Sequence, residues 1–338
     1  MKPQKLMQTI TFAIKNNLPM MITGAPGVGK SDIVSQACMA SEAELIISHP
    51  VVSDPTDYKG LPFPDPNGKE AHFLPFGELN KLINASKPTV FFLDDLGQAP
   101  ASVQASCMQL ILARRVNGFK ISDQVTFIAA TNRRGDKAGV QGILEPVKSR
   151  FAAILELTPD VDDWVDWAIK NDMPTTLISF IRYRPELLHK FTPTASIENS
   201  PSPRTIANVG KLMNLLGNAN VVLEVYAGAA GKGFATELIA FIEIAKDLPD
   251  IQYILSSPSS FAIPANPAQQ YALCGVISHY MKSETVKPLS IVIERLPKEF
   301  QVMAVLDASK RCPSYLKSNE YASWIVKNQN LIVEAIAR

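Results

Sequence analysis

One short run constrains this chain more than any other. Gly24, Ala25, Pro26, Gly27, Val28, Gly29, Lys30 and Ser31 satisfy the spacing G-x-x-x-x-G-K-[ST] in full. Before it lies Pro19-Met20-Met21-Ile22-Thr23, apolar and strand-like; after it, from Asp32 to Cys38, the pattern is helical. A glycine-rich turn between a strand and a helix places backbone N–H groups and the helix dipole where phosphate oxygens can sit. The spacing therefore predicts a nucleoside-triphosphate loop formed by residues 24–32, with Lys30 facing the β- and γ-phosphates and the Ser31 hydroxyl on Mg²⁺.

Further apolar runs at 44–48, 89–93, 125–130 and 152–157 read as strands, with helical segments between several of them. Strands buried on both faces and alternating with helices imply a parallel sheet sandwiched by helices, with ligands at the carboxyl ends of the strands. Inside a proline- and glycine-rich segment, Leu61-Pro62-Phe63-Pro64 and Ala71-His72-Phe73-Leu74 flank Asp65-Pro66-Asn67-Gly68, which predicts a hairpin. After Pro159 the strand signals stop and helical periodicity takes over at 162–168, 177–184, 205–216 and 221–245. A Ser/Pro-rich loop follows at 256–264, then a last helical segment to Arg338. The expected division is an α/β nucleotide-binding domain (1–158), a helical lid (159–255) and a C-terminal helical region (256–338).

The chemistry-bearing residues follow in order. Asp94 and Asp95 close the apolar run Val90-Phe91-Phe92-Leu93, where the first acid would hold Mg²⁺ and the second polarise an attacking water. Asn132 directly follows the next strand and would orient that water or meet the γ-phosphate. Arg150, in Ser149-Arg150-Phe151, and Arg204, in Ser202-Pro203-Arg204, are the candidate guanidinium donors to transition-state charge. Arg133 and Arg134 compete with Arg150 for that role.

Loop, paired acids, strand-Asn, Ser-Arg-Phe and Ser-Pro-Arg in this order resemble an AAA+ ATPase. Ser149-Arg150-Phe151 is similar to the arginine-finger motif of clamp loaders, and Ser202-Pro203-Arg204 to the motif called sensor 2. Asp57-Tyr58-Lys59-Gly60, the hairpin and Phe73-Leu74-Pro75-Phe76-Gly77 resemble the MoxR group of the helix-2-insert clade. The resemblance implies ATP and Mg²⁺ as ligands and a ring oligomer, taken as a hexamer. It also implies chaperone-like remodelling of a partner protein, such as a von Willebrand factor A-type protein. One departure stands out: the residue after the Mg²⁺-binding acid is usually Glu in this family, whereas here it is Asp95.

Composition narrows the partners. With 33 basic against 32 acidic side chains and net charge +1, the chain offers no basic field for tracking nucleic acid, so a nucleic-acid loader is the alternative rather than the first reading. A nucleotide-gated scaffold with very slow hydrolysis is the other alternative, motivated by Asp95. The cysteines at 38, 107, 274 and 312 lack C-x-x-C spacing and read as free thiols rather than a zinc site. The apolar stretch 221–245 carries Glu224, Lys232, Glu237 and Glu243, so it is not read as a membrane span. A cytoplasmic protein is expected.

Overall fold

In the computed structural model the chain divides into two compact units, Met1–Asp160 and Val161–Arg338. The structure describes residues 1–136, 142–193, 196–217 and 221–330. The end of the expected final helical segment, 331–338, lies outside the described residues.

The first unit opens with α1 (Pro3–Lys15), β1 (Met20–Gly24), α2 (Lys30–Ala40) and β2 (Glu44–Ser48). Next come α3 (Pro55–Lys59), the hairpin β3 (Leu61–Pro64) and β4 (Ala71–Leu74), α4 (Gly77–Ile83) and β5 (Thr89–Leu93). It ends with α5 (Ala101–Met108), a second hairpin β6 (Arg115–Val116) and β7 (Phe119–Lys120), β8 (Val125–Asn132), α6 (Glu145–Lys148) and β9 (Ala153–Glu156).

The main sheet is parallel throughout, in the order β2-β5-β8-β1-β9. Its central strands are apolar on both faces because helices cover both. Alternation sends Met21, Phe91, Phe127 and Ala129 into one core with Leu79, Leu82, Val103 and Val147 of the helices α4, α5 and α6. The neighbours Met20, Ile22, Val90, Phe92, Ile128 and Ala130 face the other way, onto Leu6 and Ile10 of α1 and Ile33, Val34 and Ala37 of α2. Phe91 and Phe127, paired in register, meet edge to face at 6.1 Å between centroids. At about 25 cal/mol per Å² of apolar surface, these two layers supply the main force holding the strand ends in register.

The β3–β4 hairpin forms as expected, and every residue of both strands is exposed. Leu61 pairs with Leu74 and Phe63 with His72, while Asp65 N–H donates to the Glu70 carbonyl at 2.8 Å. Pro62 and Pro64 have no N–H, so the ladder must run through Leu61 and Phe63, and the outer edge of β3 is left without donors at 62 and 64. That edge is closed to strand addition.

Two features depart from the expected pattern. The helix expected over 102–113 ends as a π-turn at Gln109–Ala113, and the β6–β7 hairpin follows through Asn117 (φ +46°) and Gly118 (φ +89°). The helical stretch 221–245 is broken at Gly231 (φ +92°) into two helices.

From Val161 on, every regular element among the described residues is helical. These are α7 (Val161–Lys170), α8 (Thr175–Tyr183), α9 (Pro203–Leu216), α10 (Val222–Ala230), α11 (Lys232–Lys246) and α12 (Ile251–Ser256). The last four are α13 (Pro267–Tyr280), α14 (Val286–Arg295), α15 (Lys298–Arg311) and α16 (Asn319–Lys327). One core gathers α7 to α11 with the start of α13, and a second gathers α12 to α16. Arg182 of α8, with its side chain 13% exposed, ties the two together by gripping the Asp307 carboxylate of α15 at 2.7 and 2.9 Å. No helix among the described residues is long and apolar enough to cross a membrane.

Candidate functional site

The loop sits where the sheet puts it. β1 lies between β8 and β9, and its last residue, Gly24, is in register with Asn132, the last residue of β8. Ala25 and Val28 are buried and anchor the loop to the α1/α2 core, while Pro26, Gly27 and Gly29 are half-buried. Gly29 (φ +95°) is the N-cap of α2 and supplies no side-chain cap, so no capping side chain occupies the first N–H groups of the helix. The left-handed angle is one that side chains other than glycine adopt at a cost. Asp32, exposed on the first turn, complements the positive end of the helix.

Lys30 is 7% exposed, and its Nζ donates to Asn132 Oδ1 at 2.6 Å and to the Gly24 and Ala25 carbonyls at 3.1 Å each. Ser31 Oγ donates to Asp94 Oδ2 at 2.8 Å. Asn132 Nδ2 in turn donates to Asp95 Oδ1 at 3.4 Å, a long contact. Five residues from three sequence regions thus form a connected set: Lys30 with Asn132 and Asp95, and Ser31 with Asp94, which is joined to Asp95 by sequence. The segment leaving Asp95 is pressed against the end of β8, because a Cβ on Gly97 would lie 2.2 Å from Thr131 Oγ1.

The donors fit a magnesium-bound triphosphate. A buried cation and uncapped helix N–H groups suit phosphate oxygens. Ser31 Oγ and Asp94 Oδ2, already in contact, offer one hard cation two oxygens. Among the described residues there is no group of three or more His, Cys, Asp or Glu that could hold a metal. Two protein oxygens suit Mg²⁺, which keeps water and phosphate oxygens in its shell.

Residues 20–159 match the family described as "ATPase family associated with various cellular activities (AAA)". The matched stretch contains the loop, both acids and Asn132 on a five-stranded parallel sheet. This stretch is an AAA ATPase domain. The chain is 24% identical over 315 residues to Midasin of Giardia intestinalis, an alignment covering 86% of this chain and 6% of Midasin. It therefore spans only a small fraction of that relative's length. Among solved structures, it is similar to the RuvB Holliday junction branch migration motor of Thermotoga maritima (15% identity, TM-score 0.41, 76% of this chain and 75% of that one). NtrX of Brucella abortus in complex with ADP is another such structure (15% identity, TM-score 0.42, 97% and 68%).

The arginines of the AAA domain are placed differently from one another. Arg133 donates through Nε and Nη2 to Asp136 at 3.0 and 3.1 Å and through Nη1 to Glu156 of β9 at 3.1 Å. Hydrogen bonding to Asp136, with a smaller contribution from Glu156, raises the guanidinium above its ordinary range. Arg133 is therefore engaged within its own AAA domain, as its position beside Asn132 implies. Arg134 is exposed. Arg150 is half-buried and donates to the Pro146 carbonyl one turn back. Arg204 belongs to the second unit, exposed on the first turn of α9, whose N-cap Ser202 forms a capping box with Thr205.

Sequence reasoning missed the Lys30–Asn132 contact and the Arg133–Glu156 pair, since both depend on strand order. It also missed the β6–β7 hairpin, for which Asn117-Gly118 was an available turn signal.

Proposed function

We propose that this chain is an ATP-hydrolysing AAA+ protein of MoxR-like type that works on a partner protein. The observation that carries the reading is the connected set of buried Lys30 and Asn132 with half-buried Asp95, beside Ser31 and Asp94, all at the carboxyl end of one parallel sheet. In this reading Lys30 and the N–H groups of residues 24–32 hold the phosphates. Ser31 and Asp94 hold Mg²⁺, which supplies charge neutralisation at the phosphoryl oxygens. Asp95 accepts the proton of the attacking water and Asn132 orients that water. Arg150 serves a neighbouring subunit of a ring, taken as a hexamer, and Arg204 is the second candidate guanidinium donor to transition-state charge.

The partner is assigned to the β3–β4 hairpin. Phe63 (59% exposed), Phe73 (39%), Leu61 and Leu74 stand in water on a hairpin whose β3 edge is closed by prolines. Apolar side chains displayed in this way suit a protein surface or an extended client segment. A von Willebrand factor A-type protein is the partner that the MoxR resemblance implies. The functional division is the AAA domain, a lid at 159–255 and a C-terminal helical region at 256–338.

The test is steady-state phosphate release. The wild-type chain turns over ATP, and Asp95→Asn retains Mg-ATP binding while losing on the order of 10² or more in turnover. Normal turnover by Asp95→Asn would remove Asp95 from its role. Binding without measurable turnover in the wild type would favour a nucleotide-gated scaffold.

A further inference from the structure

Lys30 and Asn132 hold each other. An ammonium group carries three N–H donors, and three oxygens already stand around this one, Asn132 Oδ1 at 2.6 Å and the Gly24 and Ala25 carbonyls at 3.1 Å. Lys30 is 7% and Asn132 8% exposed, so water does little to weaken these contacts. To meet a phosphate oxygen, the ammonium must release one of its acceptors. The two carbonyls belong to the loop backbone, with Gly24 fixed in the sheet. Asn132 Oδ1 is on a side chain that can turn about its own bonds, so it is the acceptor that yields.

We propose that Asn132 restrains Lys30 and that an incoming phosphate must displace it, so that the end of β8 lowers nucleotide affinity. The same amide touches Asp95 through Nδ2 at 3.4 Å. Displacement from Lys30 therefore also alters the contact with the second acid, and phosphate arrival is linked to the proposed base. This role rests on the reading of residues 24–32 as a nucleotide loop. It differs in sign from orienting water: that role makes removal of Asn132 costly to turnover, whereas the restraint makes removal favourable to binding.

ADP without Mg²⁺ isolates the restraint, because it has no γ-phosphate for Asn132 to meet. Isothermal titration compares the full-length wild-type chain with Asn132→Ala and Asn132→Leu, the leucine preserving the volume at this buried position. Both variants are expected to bind ADP about tenfold tighter, the size expected for loss of one hydrogen bond to a charged group. Saturating ADP should also raise their melting temperatures by more than it raises that of the wild type. Equal or weaker ADP binding by the folded Asn132→Leu protein overturns the restraint. A wild-type chain that binds no ADP overturns the nucleotide reading beneath it, so the two failures are distinguishable.

Discussion

Asp95 stands at φ +55°, ψ +33°, in the left-handed region where Asp and Asn are the side chains most readily tolerated after glycine. The short acid in place of the family's usual Glu thus matches the backbone it sits on. Burial decides thiol chemistry: it pushes Cys38 of α2 up to about 11 and Cys107 of α5 to about 12, and raises Cys274 as well. These thiols stay neutral in the fold but ionise near 9.0 once unfolded. Their stabilisation is therefore complete below that value and is lost as pH climbs through 9 toward 11 and 12. Tyr58, raised by burial to about 12 from 10.0, acts in the same direction. The urea midpoint should fall between about pH 8 and about pH 10.5, and at the lower pH a thiol reagent should label half-buried Cys312 ahead of the other three. A midpoint that does not change with pH would contradict this account of the core.

At the scale of elements, the β3–β4 hairpin contributes little to the cores. Phe63 is 59% exposed and Phe73 39%, so Phe63→Ala should change stability by about 0.5 kcal/mol or less and Phe73→Ala, whose ring is more than half covered, by about 1 kcal/mol. Basal ATP turnover should persist in both, while stimulation by the partner is lost. Loss of folding or of basal turnover would instead make these rings packing residues. The hairpin was legible in the sequence because Asp65-Pro66-Asn67-Gly68 separates two short extended runs, and the central strands because apolar residues fill both of their faces. Chain order alone could not show that Gly24 would pair with Asn132, or that Arg133 would reach Glu156 on β9. Those contacts follow from β1 inserting between β8 and β9. The β6–β7 hairpin is hard to read from sequence because its strands, Arg115–Val116 and Phe119–Lys120, are too short to show alternation.

For the whole molecule, the central question is whether one chain holds a complete catalytic site. Among the described residues, Arg150 donates to the Pro146 carbonyl one turn back. If it acts in trans, Arg150→Ala has an intact pocket and Lys30→Ala an intact arginine. A trans arginine is typically worth about 10³–10⁵ in turnover, so each variant alone should be nearly inactive. Mixed rings should recover part of the activity, and no recovery despite demonstrated mixed assembly would mean that Arg150 acts in cis or that the site needs a fully intact ring. All of this depends on the loop being a nucleotide site. Isothermal titration of Mg-ATP into the wild-type chain and into Lys30→Ala tests that claim most directly. Saturable binding is expected of the wild type and none of the variant, which lacks the buried cation of the loop. Wild-type affinity in a folded Lys30→Ala protein would contradict that claim.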